Sequence, residues 1–126
     1  MPVEVVDTDK TSPAIGSYSK AIIADKTVYI SGQLGVGPDG SFISENVEEQ
    51  TQQAIDNLKN IVIAAGGDLS KIVKTTVLLD SMEDFKAVDT VYGKNFQKPF
   101  PARACFEVAR LPKNAKVEIE AIAYLG

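Results

Sequence analysis

Histidine is missing from all 126 residues of this sequence, and its absence restricts the chemistry that the chain can perform. It excludes serine–histidine and cysteine–histidine nucleophilic pairs, histidine-ligated zinc and any imidazole base. Cysteine occurs once, as Cys105, so the chain forms no internal disulfide. Any catalysis must therefore use other groups.

Long apolar runs and basic runs are also missing. Apolar stretches such as 61–65 are far shorter than the roughly 20 residues that cross a bilayer, so we expect no membrane insertion. The net charge of −4 repels polyanions on average, and nucleic acid is not an expected partner. The first ten residues carry acids where a secretory signal carries basic residues, and we expect a cytoplasmic protein.

Two short motifs do not develop into ligand sites. Residues 35–40 have the letters G-x-G-x-x-G, but Pro38-Asp39-Gly40 predicts a turn, and the next helix is expected only near residue 46. Asp7 and Asp9 resemble the start of a calcium loop, yet the required glycine and twelfth-position glutamate do not follow. The sequence therefore predicts neither a dinucleotide site nor a metal site.

What the sequence does contain is the pattern of one α+β domain spanning residues 1–126. The hydrophobic content of 44% is that of a globular chain, and Asn46 and Gly66 are suited to begin and end the first helix. We predict one mixed six-stranded sheet with two helices packed on one face. The predicted strands are 3–6, 19–24, 27–34, 72–79, 102–109 and 116–125, and the predicted helices are 47–65 and 85–96.

The sheet face away from the helices needs a cover of its own. Alternation in the last two strands predicts that it carries Glu118, Glu120, Ile122 and Tyr124, together with Arg103, Cys105 and Glu107. Apolar residues and a cysteine among charges indicate partial burial against another subunit. We therefore expect a homo-oligomer.

Arg103 and Cys105 are the candidate ligand contacts on these strands. Arg103 lies at a strand start, where its guanidinium can hold a carboxylate through two parallel hydrogen bonds. Glu118 lies on the last strand, which we predict to be the neighbour of the strand carrying Arg103, and alternation can place both side chains on the same face. They would form either a simple cross-strand ion pair, which the pattern alone favours, or part of a site. Cys105 is interpreted as core filling rather than as a nucleophile, because no histidine is present to activate its thiol.

Several stretches taken together carry a family resemblance. They are Ile15-Gly16-Ser17-Tyr18, residues 30–33, residues 72–77 and above all residues 101–112 leading into 117–121. Their combination closely resembles the Rid family of reactive intermediate deaminases, also called the YjgF family, and within it the RidA group. The resemblance spans essentially the whole chain.

The resemblance implies a fold and an activity. The fold is chorismate mutase-like, and a homotrimer encloses a central barrel with ligand sites between subunits. The activity is cofactor-free hydrolysis of 2-imino acids, such as 2-iminobutanoate and 2-iminopropanoate, to 2-oxo acids and ammonia. A non-catalytic trimeric sensor of small 2-oxo or amino acids is the alternative, and the ribonuclease activity ascribed to some relatives is a third hypothesis.

The resemblance also assigns roles to individual residues. Arg103 stands where the family binds the substrate carboxylate, and Glu118 stands where a glutamate orients the attacking water. Tyr18 stands where a tyrosine lines the site. The remaining matches are two residues of the pocket-lining loop and a cysteine whose backbone contacts the ligand, namely Ser31, Gly32 and Cys105.

Two positions depart from the family pattern. Asp89, a candidate substrate-binding residue, stands on the second predicted helix where the best-known deaminases have asparagine, and a carboxylate there would repel an anionic substrate. Ser17 replaces a proline, which is expected to loosen the loop carrying Tyr18. We expect these departures to affect rate and substrate range more than reaction type.

Overall fold

The computed structural model describes residues 3–126, in which six strands form a single mixed sheet and two α-helices pack together on it. The order of strands and helices along the chain is the predicted one. The strands are β1 (Val3–Val6), β2 (Ala21–Ala24), β3 (Thr27–Leu34), β4 (Ile72–Leu79), β5 (Ala102–Glu107) and β6 (Val117–Tyr124), and the helices are α1 (Val47–Ala64) and α2 (Phe85–Asn95).

The order of strands across the sheet is β1-β2-β3-β6-β4-β5. Only β4 and β5 run parallel, because the chain crosses over between them through α2. The final strand β6 inserts between β3 and β4 and pairs antiparallel with both. The prediction that β5 and β6 are neighbours is therefore wrong, and β5 lies at an edge of the sheet.

The ends of α1 follow the local sequence signals. Asn46 has an extended backbone, and its side chain accepts a hydrogen bond of 2.9 Å from the backbone N–H of Glu49. Glu48 and Glu49 place negative charge near the positive end of the helix dipole. Gly66 follows the last turn with φ of +98°, a left-handed conformation that favours glycine. The predicted start of this helix is confirmed, and the helix ends one residue before the predicted end.

The hydrophobic core lies between the helices and the facing side of the sheet. Each fully buried aliphatic side chain there contributes about 1.5–3 kcal/mol of transfer free energy. Strands β3, β4 and β6 supply side chains at alternate positions, and α1 supplies a stripe spaced at three and four residues. The most buried members are Val28, Val77, Leu79, Val117 and Ile119 from the sheet and Ile55, Leu58, Ile61 and Val62 from α1.

The register of the sheet fixes which side chains share a face, because directly paired residues point to the same side. Arg103 pairs with the buried Thr75, and Thr75 also pairs with Ala121. The predicted location of Arg103, Cys105 and Glu107 on the face away from the helices is therefore wrong: all three point to the helix side. The shift arises because β5 pairs with β4 in parallel, with Arg103 opposite a core position.

The face away from the helices, called here the open face, carries the other predicted residues. Glu118, Glu120, Ile122 and Tyr124 alternate with the buried positions of β6, as predicted. Large apolar side chains on four strands are exposed there, namely Val5 at 67%, Tyr29 at 50%, Phe106 at 48% and Tyr124 at 50%.

Among residues 3–126, no helix has the length and apolar character needed to cross a membrane.

Candidate functional site

The residues predicted to form the site fall into two clusters on opposite sides of the sheet. The first, the arginine cluster, lies on the helix side at the edge strand β5 and contains Arg103, Cys105 and Asp89 with Tyr92 and Phe85. The second, the glutamate groove, lies on the open face and contains Tyr18, Ser31, Gly32, Glu118 and Glu120.

Arg103 is held in a fixed orientation by α2. Its Nη1 donates a hydrogen bond of 2.7 Å to Oδ1 of Asp89, and its guanidinium carbon lies 4.8 Å from the centre of the Tyr92 ring. The Phe85 ring centre is 5.5 Å away on the same helix. Such cation–π contacts contribute about 0.5–2 kcal/mol each. The side chain stays 26% exposed, so a ligand can reach the guanidinium.

The spacing of residues on α2 explains this arrangement. Phe85, Asp89 and Tyr92 are separated by four and three positions, which places them on one face of a helix. Tyr92 is anchored in turn, because its hydroxyl lies 2.7 Å from Oγ1 of the buried Thr75. Burial raises the pKa of Tyr92, so the ring remains neutral beneath the arginine. Sequence reasoning treated Tyr92 only as an apolar helix position, although its spacing from Asp89 was visible.

Cys105 lies two residues beyond Arg103 and packs against the hydrophobic core. Burial raises the pKa of its thiol, and the positive charge of Arg103 opposes that effect without reversing it. The thiol is therefore protonated at neutral pH, which argues against a nucleophilic role. As part of an edge strand, the backbone of β5 has alternate N–H and C=O groups that point away from the sheet.

Glu118 is the central carboxylate of the glutamate groove, a cavity of about 570 Å³. Burial raises its pKa, and the negative charge of the nearby Glu120 raises it further. A carboxyl group of this kind accepts a proton more readily than an exposed glutamate does, which suits a general base. The role of Glu120 was not predicted, although its position two residues away on one strand gives it the same face.

Gly32 allows the backbone of β3 to lie against the Glu118 carboxylate. A Cβ added at Gly32 would overlap Oε2 of Glu118 and would lie 2.8 Å from its Cδ. The pairing of β3 with β6 shifts between Ile30 and Gln33, which inserts one extra residue in β3 at this point. The bulge therefore brings Gly32 and Glu118 together.

Ser31 and Tyr18 complete one wall of the groove. Ser31 Oγ donates a hydrogen bond of 2.6 Å to the backbone oxygen of Ser19, and its N–H donates one of 2.9 Å to the oxygen of Lys20. These bonds fix the segment that carries Tyr18 to the bulge. The Tyr18 ring is 53% exposed, and its hydroxyl accepts a long bond of 3.4 Å from the N–H of Ile15.

A buried lysine ties the N-terminal segment to the groove. Lys20 is buried, and its Nζ lies 3.0 Å from Oδ1 of Asp7 and donates a hydrogen bond of 3.2 Å to the oxygen of Thr11. The hydrogen bond and charge of Lys20 lower the pKa of Asp7.

Within residues 3–126, no group of three or more histidine, cysteine or acidic residues can hold a metal ion.

The two clusters do not meet within one chain. Arg103 and Glu118 point to opposite faces, and β4 separates their strands, a lateral distance of about 10 Å for two strand spacings. The predicted placement of Arg103 and Glu118 on one face is therefore wrong. Neither an ion pair nor a shared pocket between them is formed inside the chain.

Comparison with known proteins identifies the family. The sequence profile of a family described as Endoribonuclease L-PSP matches residues 9–125. The chain belongs to this family. Members similar to it include Reactive Intermediate Deaminase A, chloroplastic, of Arabidopsis thaliana, which is 50% identical over 97% of this chain and 66% of its own length.

Two further members extend this similarity to animals and to solved structures. The 2-iminobutanoate/2-iminopropanoate deaminase of Capra hircus is 50% identical over 97% of this chain and 90% of its own length. The crystal structure of RidA from the Antarctic bacterium Psychrobacter sp. PAMC 21119 superposes with a TM-score of 0.92 at 44% identity, covering 96% of this chain and 98% of that one. The Rid resemblance and the fold expected from it are confirmed.

Proposed function

We propose that this chain hydrolyses reactive 2-imino acids, such as 2-iminobutanoate and 2-iminopropanoate, to 2-oxo acids and ammonia. The observation that carries the proposal is its 50% identity, over 97% of the chain, to a relative named for deaminating these two compounds. The geometry supports it, because the chain offers an oriented guanidinium for a carboxylate and a carboxyl group with raised pKa for a water.

The proposed mechanism needs no metal or cofactor. The substrate carboxylate binds the free donors of Arg103, which orients the planar iminium group that is already electrophilic at C2. Glu118 accepts a proton from a water as its oxygen bonds to C2, and then returns that proton to the nitrogen. Collapse of the tetrahedral intermediate breaks the C–N bond, and the hydroxyl proton passes through Glu118 to the departing ammonia, which leaves as ammonium. The balance is one iminium acid and one water giving one 2-oxo acid and one ammonium ion.

We propose further that two copies of the chain build each site. Arg103 with Cys105 of one subunit would face Glu118 with Tyr18, Ser31 and Gly32 of the next, in a homotrimer with three such clefts. The separation of the two clusters within one chain supports this arrangement. The exposed apolar side chains of the open face support it too, because a central barrel would bury them.

A coupled assay tests the activity. A pyridoxal phosphate-dependent dehydratase acting on threonine generates 2-iminobutanoate, and semicarbazide captures whatever is not hydrolysed. The wild-type chain is expected to suppress semicarbazone formation, whereas a chain that binds 2-oxo acids and leaves semicarbazone formation at the buffer level would instead be a sensor.

The same assay tests the role of Arg103. A charged hydrogen-bonded contact is worth about 1.5–3 kcal/mol, so Arg103→Ala is expected to reduce hydrolysis by more than tenfold. Arg103→Lys is expected to fail nearly as badly, because a point charge does not fix the plane of the substrate. Wild-type activity in either folded variant would contradict the assignment.

A further inference from the structure

Asp89 accepts a hydrogen bond from the guanidinium of Arg103 that the substrate carboxylate is expected to bind. Its Oδ1 lies 2.7 Å from Nη1 of Arg103, and this is the salt bridge of Arg103 within residues 3–126. The aromatic rings of Tyr92 and Phe85, which carry no charge, also lie against the guanidinium. The positive charge of Arg103 is thus offset before any ligand arrives. The Asp89 side chain is itself half-exposed.

The charges of substrate and product differ, and this part of the argument rests on the proposed function. A protonated 2-imino acid is a zwitterion, whereas the 2-oxo acid formed from it is an anion. When the carboxylate of either ligand binds the remaining donors of Arg103, it shares the guanidinium with Asp89. The carboxylates of the 2-imino acid and of the 2-oxo acid are therefore both repelled by the negative charge of Asp89. In the zwitterion, the iminium nitrogen is bonded to C2 beside the carboxylate, and its attraction to Asp89 offsets part of this repulsion.

We propose that Asp89 is a specificity-determining residue that favours the zwitterionic 2-imino acid over the anionic 2-oxo acid at Arg103. Unit charges sharing one guanidinium lie about 5 Å apart, where their repulsion changes an equilibrium constant by about fourfold in bulk water and by more than about a hundredfold at an effective dielectric constant of about 20. Because the Asp89 side chain is half-exposed, we expect a value toward the aqueous end of this range, about tenfold. An anionic product therefore leaves the site more readily than it would leave an isolated arginine. Other small carboxylates are disfavoured in the same way.

Substitution of Asp89 by asparagine distinguishes the effect of the negative charge from the effect of the hydrogen bond to Arg103. The side-chain oxygen of asparagine can accept the bond from Nη1 in the same place, so Asp89→Asn keeps the orientation of Arg103 and removes only the negative charge. Glu83→Gln provides the matched control. It removes one negative charge from the exposed turn that precedes α2, and Glu83 forms no salt bridge among the residues described.

The test compares two ligands that share one carbon skeleton. Dissociation constants of 2-oxobutanoate, an anion, and L-2-aminobutanoate, a zwitterion, are measured by titration calorimetry for the wild-type chain and both variants. Asp89→Asn is expected to tighten 2-oxobutanoate by about tenfold and the zwitterion by less than about threefold. Glu83→Gln is expected to change neither. The product-inhibition constant of 2-oxobutanoate in the coupled assay should fall in parallel with its dissociation constant.

Two outcomes would overturn the proposal. If Asp89→Asn tightened both ligands equally, the residue would act through shape or orientation rather than through charge. If it tightened neither, Asp89 would have no role in ligand choice. Failure of imine hydrolysis in the wild-type chain is a separate result, because it contradicts the proposed function while the calorimetric comparison of anion and zwitterion still decides the role of Asp89.

Discussion

Arg103 and Glu118 show how neighbours alter two charged side chains of opposite sign. Arg103 lies against aromatic rings and pairs with Asp89, which fixes its direction and offsets its charge. Glu118 lies half-buried beside Glu120, so burial and a like charge raise its pKa. Residue type and the family resemblance predicted both side chains as site residues. They did not predict the ion pair, because Asp89 and Arg103 are 14 positions apart and meet only through tertiary packing.

Glu118→Gln is expected to lower imine hydrolysis by about a hundredfold or more, since general-base catalysis typically contributes that much. Made in the Arg103→Ala background, in which no guanidinium of a neighbouring subunit faces the carboxylate, the same change should stabilise the fold at pH 8. Because the pKa of Glu118 is raised in the folded chain, the stability associated with this group is present below its ordinary pKa and is lost as pH rises through the raised value. Glutamine does not ionise, so the variant keeps this stability at pH 8. Thermal unfolding should show a higher midpoint for the variant at pH 8 and no difference near pH 4.

Glu120→Gln is expected to move the pH dependence of hydrolysis without removing activity. Loss of its negative charge lowers the pKa of Glu118, so the acidic limb of kcat/KM should shift to lower pH. The readout is the rate profile between pH 4 and pH 8. An unchanged acidic limb would mean that another group titrates there, and the base assigned to Glu118 would be wrong.

Cys105→Ser is expected to keep much of the activity, because the thiol is protonated and the proposed use of this position is its backbone. Serine retains the small size and the same N–H and C=O groups. Arg103→Ala serves as the inactive reference in the coupled assay. Should a folded Cys105→Ser variant be as inactive as that reference, covalent catalysis by the thiol would have to replace water activation by Glu118.

At the scale of strands and helices, local signals predicted the order, and every predicted bound lies within two residues of the observed one. The alternation in β4 and the caps of α1 lie within a few neighbouring residues, and local chemistry is sufficient to indicate them. The insertion of β6 between β3 and β4 and the bulge at Ser31 and Gly32 depend on pairing between distant segments. A register is set by burial of a whole face, so the strand pattern alone left it open.

The bulge in β3 holds Gly32 against the Glu118 carboxylate. Gly32→Ala is expected to displace the Glu118 carboxylate, because the added Cβ would overlap it, and hydrolysis should fall by more than about tenfold. The glutamate side chain can move, so the fold should survive. Gly93→Ala is the matched control: its Cβ would meet nothing within 4 Å, and alanine within α2 favours the helix by about 1 kcal/mol.

These two alanine variants are compared by circular dichroism, thermal unfolding and the coupled assay. Gly93→Ala should show wild-type activity with equal or greater thermal stability. Full activity in Gly32→Ala would show that the close approach of β3 to Glu118 has no part in catalysis. Equal loss of activity in both variants would point to a general effect of the added methyl group.

For the whole molecule, the open face connects the fold to the proposed site. Alternation in β6 predicted its residues on this face, and the exposed apolar side chains of β1, β3 and β5 add to them. The assignment of Arg103 to the same face was wrong because β5 pairs in parallel with β4. That correction strengthens the argument for assembly, since two half-sites on opposite sides of one sheet become one site only between copies.

Sedimentation equilibrium is expected to show a trimer at micromolar concentration. Burial of the apolar side chains of the open face supplies the driving force, and a closed ring satisfies every copy equally. Phe106→Glu places a charge in this face at a residue that belongs to neither cluster, and is expected to weaken the assembly. A stable wild-type monomer would remove the trimer and the shared site together.

Mixing two inactive variants tests whether a site is shared between subunits. Arg103→Ala retains Glu118, and Glu118→Gln retains Arg103, so a cleft formed by one copy of each can contain both intact residues. The two variants are unfolded together in equal amounts and refolded as random trimers. In each cleft, the subunit that supplies position 103 has an even chance of carrying arginine, and the subunit that supplies position 118 has an even chance of carrying glutamate. About a quarter of the clefts should therefore be intact, and activity should return to about a quarter of the wild-type rate. Each variant refolded alone should remain inactive, as should the two mixed without unfolding. Background activity in the co-refolded mixture would contradict the shared site, because it is the result expected if Arg103 and Glu118 had to come from the same chain.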